Sequence, residues 1–132
     1  MKNLSIVFVV VVFIGAVFYM LYTKGLILAN FESVSPKTAY EIITNDKNMT
    51  LLDVRTQEEY THDGHIAGAM LIPVDQLAKK LHLLDKSKKI LVYCRSGHRS
   101  THAARILEKA GYVVINLKGG INSWKAEKLP VK

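Results

Sequence analysis

From Leu4 to Tyr22 the chain runs nineteen residues without a charge, most of them Val, Ile, Phe and Leu. No other feature narrows its possible folds as much. Wound as a helix rising about 1.5 Å per residue, the run is roughly 29 Å long, close to the thickness of a bilayer's hydrocarbon core. Such a helix is apolar all round, and the 102 residues from Phe31 to Lys132 form too small a core to surround it. Residues 4–22 are therefore expected to enter a membrane. The run exceeds the apolar stretch of about 7–15 residues in a secretory signal, and Thr23 and Gly25 fit a cleavage site poorly. Lipoprotein processing needs a cysteine at that point, and the only cysteine is Cys94. The expected organisation is an uncleaved signal anchor over residues 1–25, a linker over 26–34 and one domain over 35–132. Lys2 and the α-amine before the span favour an inside amino end, with the domain outside the cytoplasm on the periplasmic side.

The net charge of +7 includes Lys2 and Lys24, leaving 16 Lys and Arg against 11 Asp and Glu in the domain. That balance suits small anions. The densest basic stretch, Lys79 to Lys89, is broken by Leu81, Leu83, Leu84 and Asp85, as on the solvated side of an amphipathic helix. No aromatic platform or recognition motif accompanies the charge, so no nucleic-acid partner is expected. One cysteine also excludes an intramolecular disulfide.

Within the domain, Ser35-Pro36 before Ala39, Ile42 and Ile43 reads as a capped helix start. Thr50 to Val54 is a short apolar strand, Thr56 to Tyr60 a helical turn, and Asp63-Gly64-His65 a bend. Ala69 to Ile72 reads as a second strand closed by Pro73. Asp75 is expected to cap a helix whose Leu77, Leu81 and Leu84 share one face. Lys89 to Tyr93 is the clearest strand, and Ala103 to Ala110 a helix ended by Gly111. Val113 to Leu117 is a strand, and Gly119-Gly120 turns into a last helix around Trp124. Short apolar strands alternating with helices specify an α/β domain with a largely parallel, buried sheet.

Strand Lys89–Tyr93 runs directly into Cys94-Arg95-Ser96-Gly97-His98-Arg99-Ser100. A cysteine at the carboxyl end of a buried strand, followed by a glycine-containing loop and a helix, stands where open α/β sheets bind ligands. Loop amides and the helix amino terminus converge there and favour negative charge. With Arg95 and Arg99 nearby, the thiol should ionise more readily than a free cysteine. The bland alternative is a small buried apolar cysteine. Two arginines, a glycine and three hydroxyl residues around it argue against that.

These residues resemble the active-site loop of single-domain rhodaneses, of the form C-x-x-G-x-R-S. Upstream, Leu52-Asp53-Val54-Arg55, Glu58-Glu59-Tyr60 and Gly64-His65-Ile66-Ala67-Gly68-Ala69 are similar to the family's first signature. Downstream, Leu117-Lys118-Gly119-Gly120-Ile121 with Trp124 resembles its closing strand-to-helix turn. The resemblance implies a three-layer rhodanese-like fold with a central, largely parallel sheet, here preceded by one transmembrane helix. It implies a sulfurtransferase of thiosulfate:cyanide type. The Cys94 thiolate takes sulfane sulfur from a small anionic donor as a persulfide and passes it to a thiol or cyanide acceptor. Arg95, Ser96, Gly97, His98 and Arg99 would bind substrate, the amides steadying the persulfide and the arginines the anion. No metal and no organic cofactor are required.

Asp53 and Arg55 are expected to support the structure by hydrogen bonding and ion pairing at a strand end. Glu58, Glu59 and His65 are assigned to structure or solvent, and Trp124 to packing. Cys94, His98 and His102 share a spacing of four, but His98 is expected in the loop before the helix begins, and no acidic ligand joins them. The nearest rivals on this fold are phosphatases and arsenate reductases, whose C-x5-R loop is one residue longer; here Arg99 is the fifth residue after Cys94. A membrane-tethered binding module without turnover is the rival of another class.

Overall fold

The computed structural model describes residues 2–23 and 31–132, in two units, Met1–Asn30 and Phe31–Lys132. Lys24, the weak cleavage position at Gly25 and most of the expected linker lie outside the described residues. In the first unit, helix α1 spans Lys2–Thr23. Asn3–Leu21 within it has a mean hydropathy of 2.9, so it is long and apolar enough to cross a membrane.

The second unit is an α/β domain with a five-stranded, wholly parallel sheet. Its strands are β1 (Glu32–Val34), β2 (Met49–Asp53), β3 (Met70–Leu71), β4 (Lys89–Tyr93) and β5 (Val114–Leu117), in the spatial order β1-β5-β4-β2-β3. The helices are α2 (Pro36–Asn45), α3 (Gln57–His62), α4 (Val74–Leu77), α5 (His98–Lys109) and α6 (Gly120–Ala126), with a 3₁₀ turn at Leu81–Leu83. Parallel strands need crossovers, and the crossover helices cover both faces. Because strand side chains alternate, Leu52, Val54, Ile90, Val92 and Cys94 pack with Leu77 of α4 and Ala103, Ala104 and Leu107 of α5. Leu51, Leu91, Tyr93 and Leu117 pack on the other face with Ala39 of α2 and Ile121 and Trp124 of α6.

Local chemistry explains most boundaries. Ser35 caps α2 through the Thr38 amide, with Pro36 in the first turn. Thr56 and Glu59 close a reciprocal capping box on α3. Two expectations fail. The helix expected from Asp75 through Leu84 stops at Leu77, and Asp75 lies inside its first turn rather than capping it; Pro73 holds the cap position without a side-chain hydrogen bond. The chain resumes as a 3₁₀ turn, which still sets Leu81 and Leu84 against the same core. The Tyr112 hydroxyl donates toward the Leu81 and Leu84 carbonyls, at 3.0 and 3.3 Å, and so ties this turn to the segment that follows α5. Glu32–Val34, read from sequence as linker, is an edge strand paired with Ile115–Leu117 of β5.

At the carboxyl end of β2, Asp53 and Arg55 form a buried pair, 0% and 1% exposed. Asp53 accepts the Arg55 amide at 2.9 Å, Nε at 3.0 Å and Nη2 at 2.7 Å. Nη2 also donates to the Gly64 carbonyl at 2.8 Å. Removing one member strands the other charge away from water. Asp53→Ala should therefore cost about 3–5 kcal/mol of stability, with a smaller loss when Arg55→Met accompanies it. Urea denaturation of the full chain in detergent micelles measures both; a loss below about 1 kcal/mol for Asp53→Ala would contradict the assignment.

Candidate active site

Strand β4 delivers Cys94 to the carboxyl edge of the sheet with 1% of its surface exposed. The turn that follows is held from two sides. Ile121 and Asn122, in the first turn of α6, donate their amides to the Cys94 and Arg95 carbonyls at 2.9 and 3.0 Å. Contact this close needs a glycine at 120: its φ is +62°, and a Cβ there would stand 2.5 Å from both carbonyl oxygens. On the other side Gly97, at φ +103°, ends the loop as the cap position of α5. Its carbonyl accepts the Thr101 and Ser100 hydroxyls at 2.7 and 3.2 Å, so the first turn of α5 fixes the loop's last residue.

The thiol sits inside this turn. The Gly97 amide donates to Sγ at 3.1 Å, and Ser100 Oγ lies 3.4 Å from it. Burial pushes the Cys94 thiol up, but the Ser100 hydroxyl and the Ser100, Gly97 and Ser96 amides outweigh it, and its pKa falls below the ordinary value. These hydrogen bonds favour the ionised form of the sulfur over the neutral thiol.

Arg99 is only partly exposed and is committed to a partner. Its two terminal nitrogens donate to the Glu59 carboxylate at 2.6 and 2.8 Å. That pairing, against a smaller effect of burial, depresses Glu59 to about 2, and it raises Arg99. Arg99 thus faces the thiol as half of a neutral pair. The Arg95 side chain makes no hydrogen bond or ion pair among the described residues. It lines a pocket of about 230 Å³ with Arg55, Asp63, Ile121, Asn122 and Lys125. Lys125 donates to the Asp63 carbonyl at 2.6 Å, which holds its charge at that mouth.

A second opening, about 630 Å³, is lined by Ser96, Gly97, His98, Thr101, His102 and Arg105. Here the expectation for His98 needs correcting: it is the first residue of α5, not part of the preceding loop. His98 and His102 therefore share a helix face, while Sγ points into the turn. Among the described residues no three His, Cys, Asp or Glu side chains gather as a metal-binding group.

The structure thus brings Cys94, Ser96, Gly97, His98 and Arg99 around one turn. Asp53 and Arg55 lie behind it: the Arg55 guanidinium carbon is 5.7 Å from the ring centre of Tyr93, the residue before Cys94. Burial, then the Asp53 charge, hold the Tyr93 phenol protonated well above its ordinary range. Sequence reasoning gives no role to Ser100 or to the α6 amides, and it leaves Glu59 to structure or solvent. The Thr56-x-x-Glu59 capping signature was the available signal for placing Glu59.

Comparison with known proteins places residues 35–127 in the rhodanese-like domain model. A sulfurtransferase of Allochromatium vinosum is 34% identical over 101 residues, covering 76% of this chain and 89% of that protein. The thiosulfate sulfurtransferase GlpE of Coxiella burnetii is 33% identical over 97 residues, 73% of this chain and 89% of the other. The crystal structure of a rhodanese-related protein from Thermoplasma volcanium superposes with a TM-score of 0.71 at 36% identity, covering 77% of this chain and 98% of that one.

The hydrogen bonds at Sγ predict alkylation of Cys94 with a rate-versus-pH midpoint below the value of about 8.5 for a free thiol. Iodoacetamide kinetics followed by mass spectrometry measure it. A midpoint at or above 8.5 would mean that burial, not hydrogen bonding, sets the thiol's chemistry.

Proposed function

The chain belongs to the rhodanese-like domain family, and on that premise we propose that it moves sulfane sulfur through a persulfide on Cys94. The carrying observation is the Gly97 amide at 3.1 Å from a buried Sγ that hydrogen bonds hold below its ordinary pKa. In the first half-reaction the Cys94 thiolate attacks the outer sulfur of thiosulfate or a related donor. A bond forms from Sγ to that sulfur, the donor's S–S bond breaks, and its electron pair leaves with sulfite. In the second, an acceptor thiol or cyanide takes the outer sulfur and the thiolate returns. The loop amides steady the persulfide as they steady the thiolate. Arg95, the loop arginine without a side-chain partner among the described residues, attracts the donor anion; Arg99 keeps the loop closed through Glu59. The chemistry needs no metal or organic cofactor.

Loop length favours sulfur over phosphate. Amides between Cys94 and Arg99 must surround whatever is bonded to Sγ, and a single sulfur atom fills a ring of this size. A phosphoryl group brings three further oxygens, for which the longer C-x5-R loop has room.

The membrane side of the proposal rests on α1. Residues 4–22 anchor the chain and the domain works on the periplasmic side.

Two outcomes follow. Cys94→Ser, nearly isosteric, should fold normally and lose at least about 99% of thiosulfate:cyanide activity, since an alkoxide cannot form a persulfide. Substantial residual activity would remove Cys94 as the carrier. Full-length protein should sediment with membranes, and protease added to spheroplasts should digest the domain. Protection there, with digestion only in inverted vesicles, would reverse the orientation.

A further inference from the structure

We propose that the opening along α5 is a second subsite, which takes the carboxylate end of a small anionic thiol acting as sulfur acceptor. The inference rests on the sulfur-transfer reading of Cys94 and adds to it the class of acceptor.

The pocket begins at Ser96 and Gly97, beside the turn that holds Sγ, and extends along α5 past His98, Thr101 and His102 to Arg105. Those four helical positions are spaced by three and four residues, so they form one stripe. No carboxylate and no wholly hydrocarbon side chain lines it; each of its five side chains carries a hydrogen-bond donor. Thr101 has spent its donor on the Gly97 carbonyl. Arg105 has not. Its Nε is buried without a hydrogen-bond partner among the described residues, and no ion pair there neutralises its guanidinium. Arginine stays charged, so a half-buried, uncompensated cation faces this pocket. A planar carboxylate is the group that matches a guanidinium fork.

Length then identifies the occupant. His98 and Arg105 are separated by about 10 Å along the helix. Cyanide and sulfite are too short to span the stripe from His98 to Arg105, and thiosulfate carries its charge next to its reacting sulfur. A peptide-sized thiol has its carboxylates several bonds from its sulfur and spans the distance. Seated there, its thiolate attacks the outer sulfur of the Cys94 persulfide. The new S–S bond forms on the acceptor, the bond to Sγ breaks, the proton that the acceptor thiol gave up passes to the transferred outer sulfur, and Cys94 returns as thiolate. The Arg95 pocket shares no residue with this one, so donor and acceptor approach the turn through different openings.

The test uses the full chain in detergent micelles. Glutathione serves as an anionic acceptor and 2-mercaptoethanol as a neutral one, and S-methylglutathione as a ligand that cannot accept sulfur. The wild type should favour glutathione in kcat/KM. Arg105→Gln should lower the glutathione to 2-mercaptoethanol ratio about tenfold, and Arg105→Lys should restore part of it. S-methylglutathione should shift the His98 and His102 ring resonances of the wild type, a readout that does not depend on how the variants fold. An unchanged ratio with sulfur transfer intact, or no shift at those rings, overturns the subsite and leaves the function standing. Ring shifts without transfer to any acceptor would overturn the function and leave an anion site.

Discussion

A carboxylate and a guanidinium that water does not reach hold the carboxyl edge of the sheet together. Asp53 closes β2, opposite Tyr93 of β4 in the sheet register, and Arg55 carries the link onward to the Gly64 carbonyl. The Tyr93 hydroxyl accepts the Ile66 amide at 3.1 Å, so the same cluster pins the loop leading to β3. From that loop the support runs back through α3, whose Glu59 grips Arg99 at the start of α5. Two charges in such a place are costly to desolvate, and a hydrocarbon pair would fill the space with less penalty. Their use lies in direction: the Arg55 guanidinium that binds Asp53 also reaches the Gly64 carbonyl and lies over the Tyr93 ring, so the pair ties β2 to that loop and to β4. That geometry places Cys94, one residue after Tyr93.

At the thiol two effects oppose each other, and the backbone decides between them. Burial alone would keep Sγ protonated and inert, the usual condition of a lone interior cysteine. A tight turn reverses this because its amides have no secondary-structure partner of their own and point inward. The same device that finishes a strand and starts a helix therefore favours negative charge on a buried sulfur. Positive side chains are secondary. One of the two loop arginines is neutralised by Glu59, and the other stands at a pocket mouth rather than over the sulfur.

Much of this was legible in the sequence, for local reasons. Lys89–Tyr93 is an uninterrupted apolar strand, Ser35-Pro36 is a self-contained cap, and Gly119-Gly120 marks a turn that only glycine makes. The turn from Cys94 to Ser100 carries its own chemistry in adjacent residues. What escaped depends on distant partners. Leu77, Leu81 and Leu84 have helical spacing, yet the chain there breaks into a short helix and a 3₁₀ turn that Tyr112, 28 residues beyond Leu84, holds in place. Glu32–Val34 has no apolar pattern and becomes a strand only because β5 offers an edge. Glu59 and Arg99 are forty residues apart, so their pairing leaves no local trace.

The close approach of Gly120 to the carbonyls of Cys94 and Arg95 has a consequence for the order of events during folding. The amides of Ile121 and Asn122 that fix the start of the turn come from the last helix of the chain. During synthesis, Cys94 emerges well before them, on a turn whose opening carbonyls are still unpaired. Until α6 has been made, those carbonyls lack the partners that close the turn. An incomplete chain therefore carries its thiol in an unfinished turn, and docking of α6 completes the geometry. Reactivity at the cysteine is in this way tied to completion of the domain.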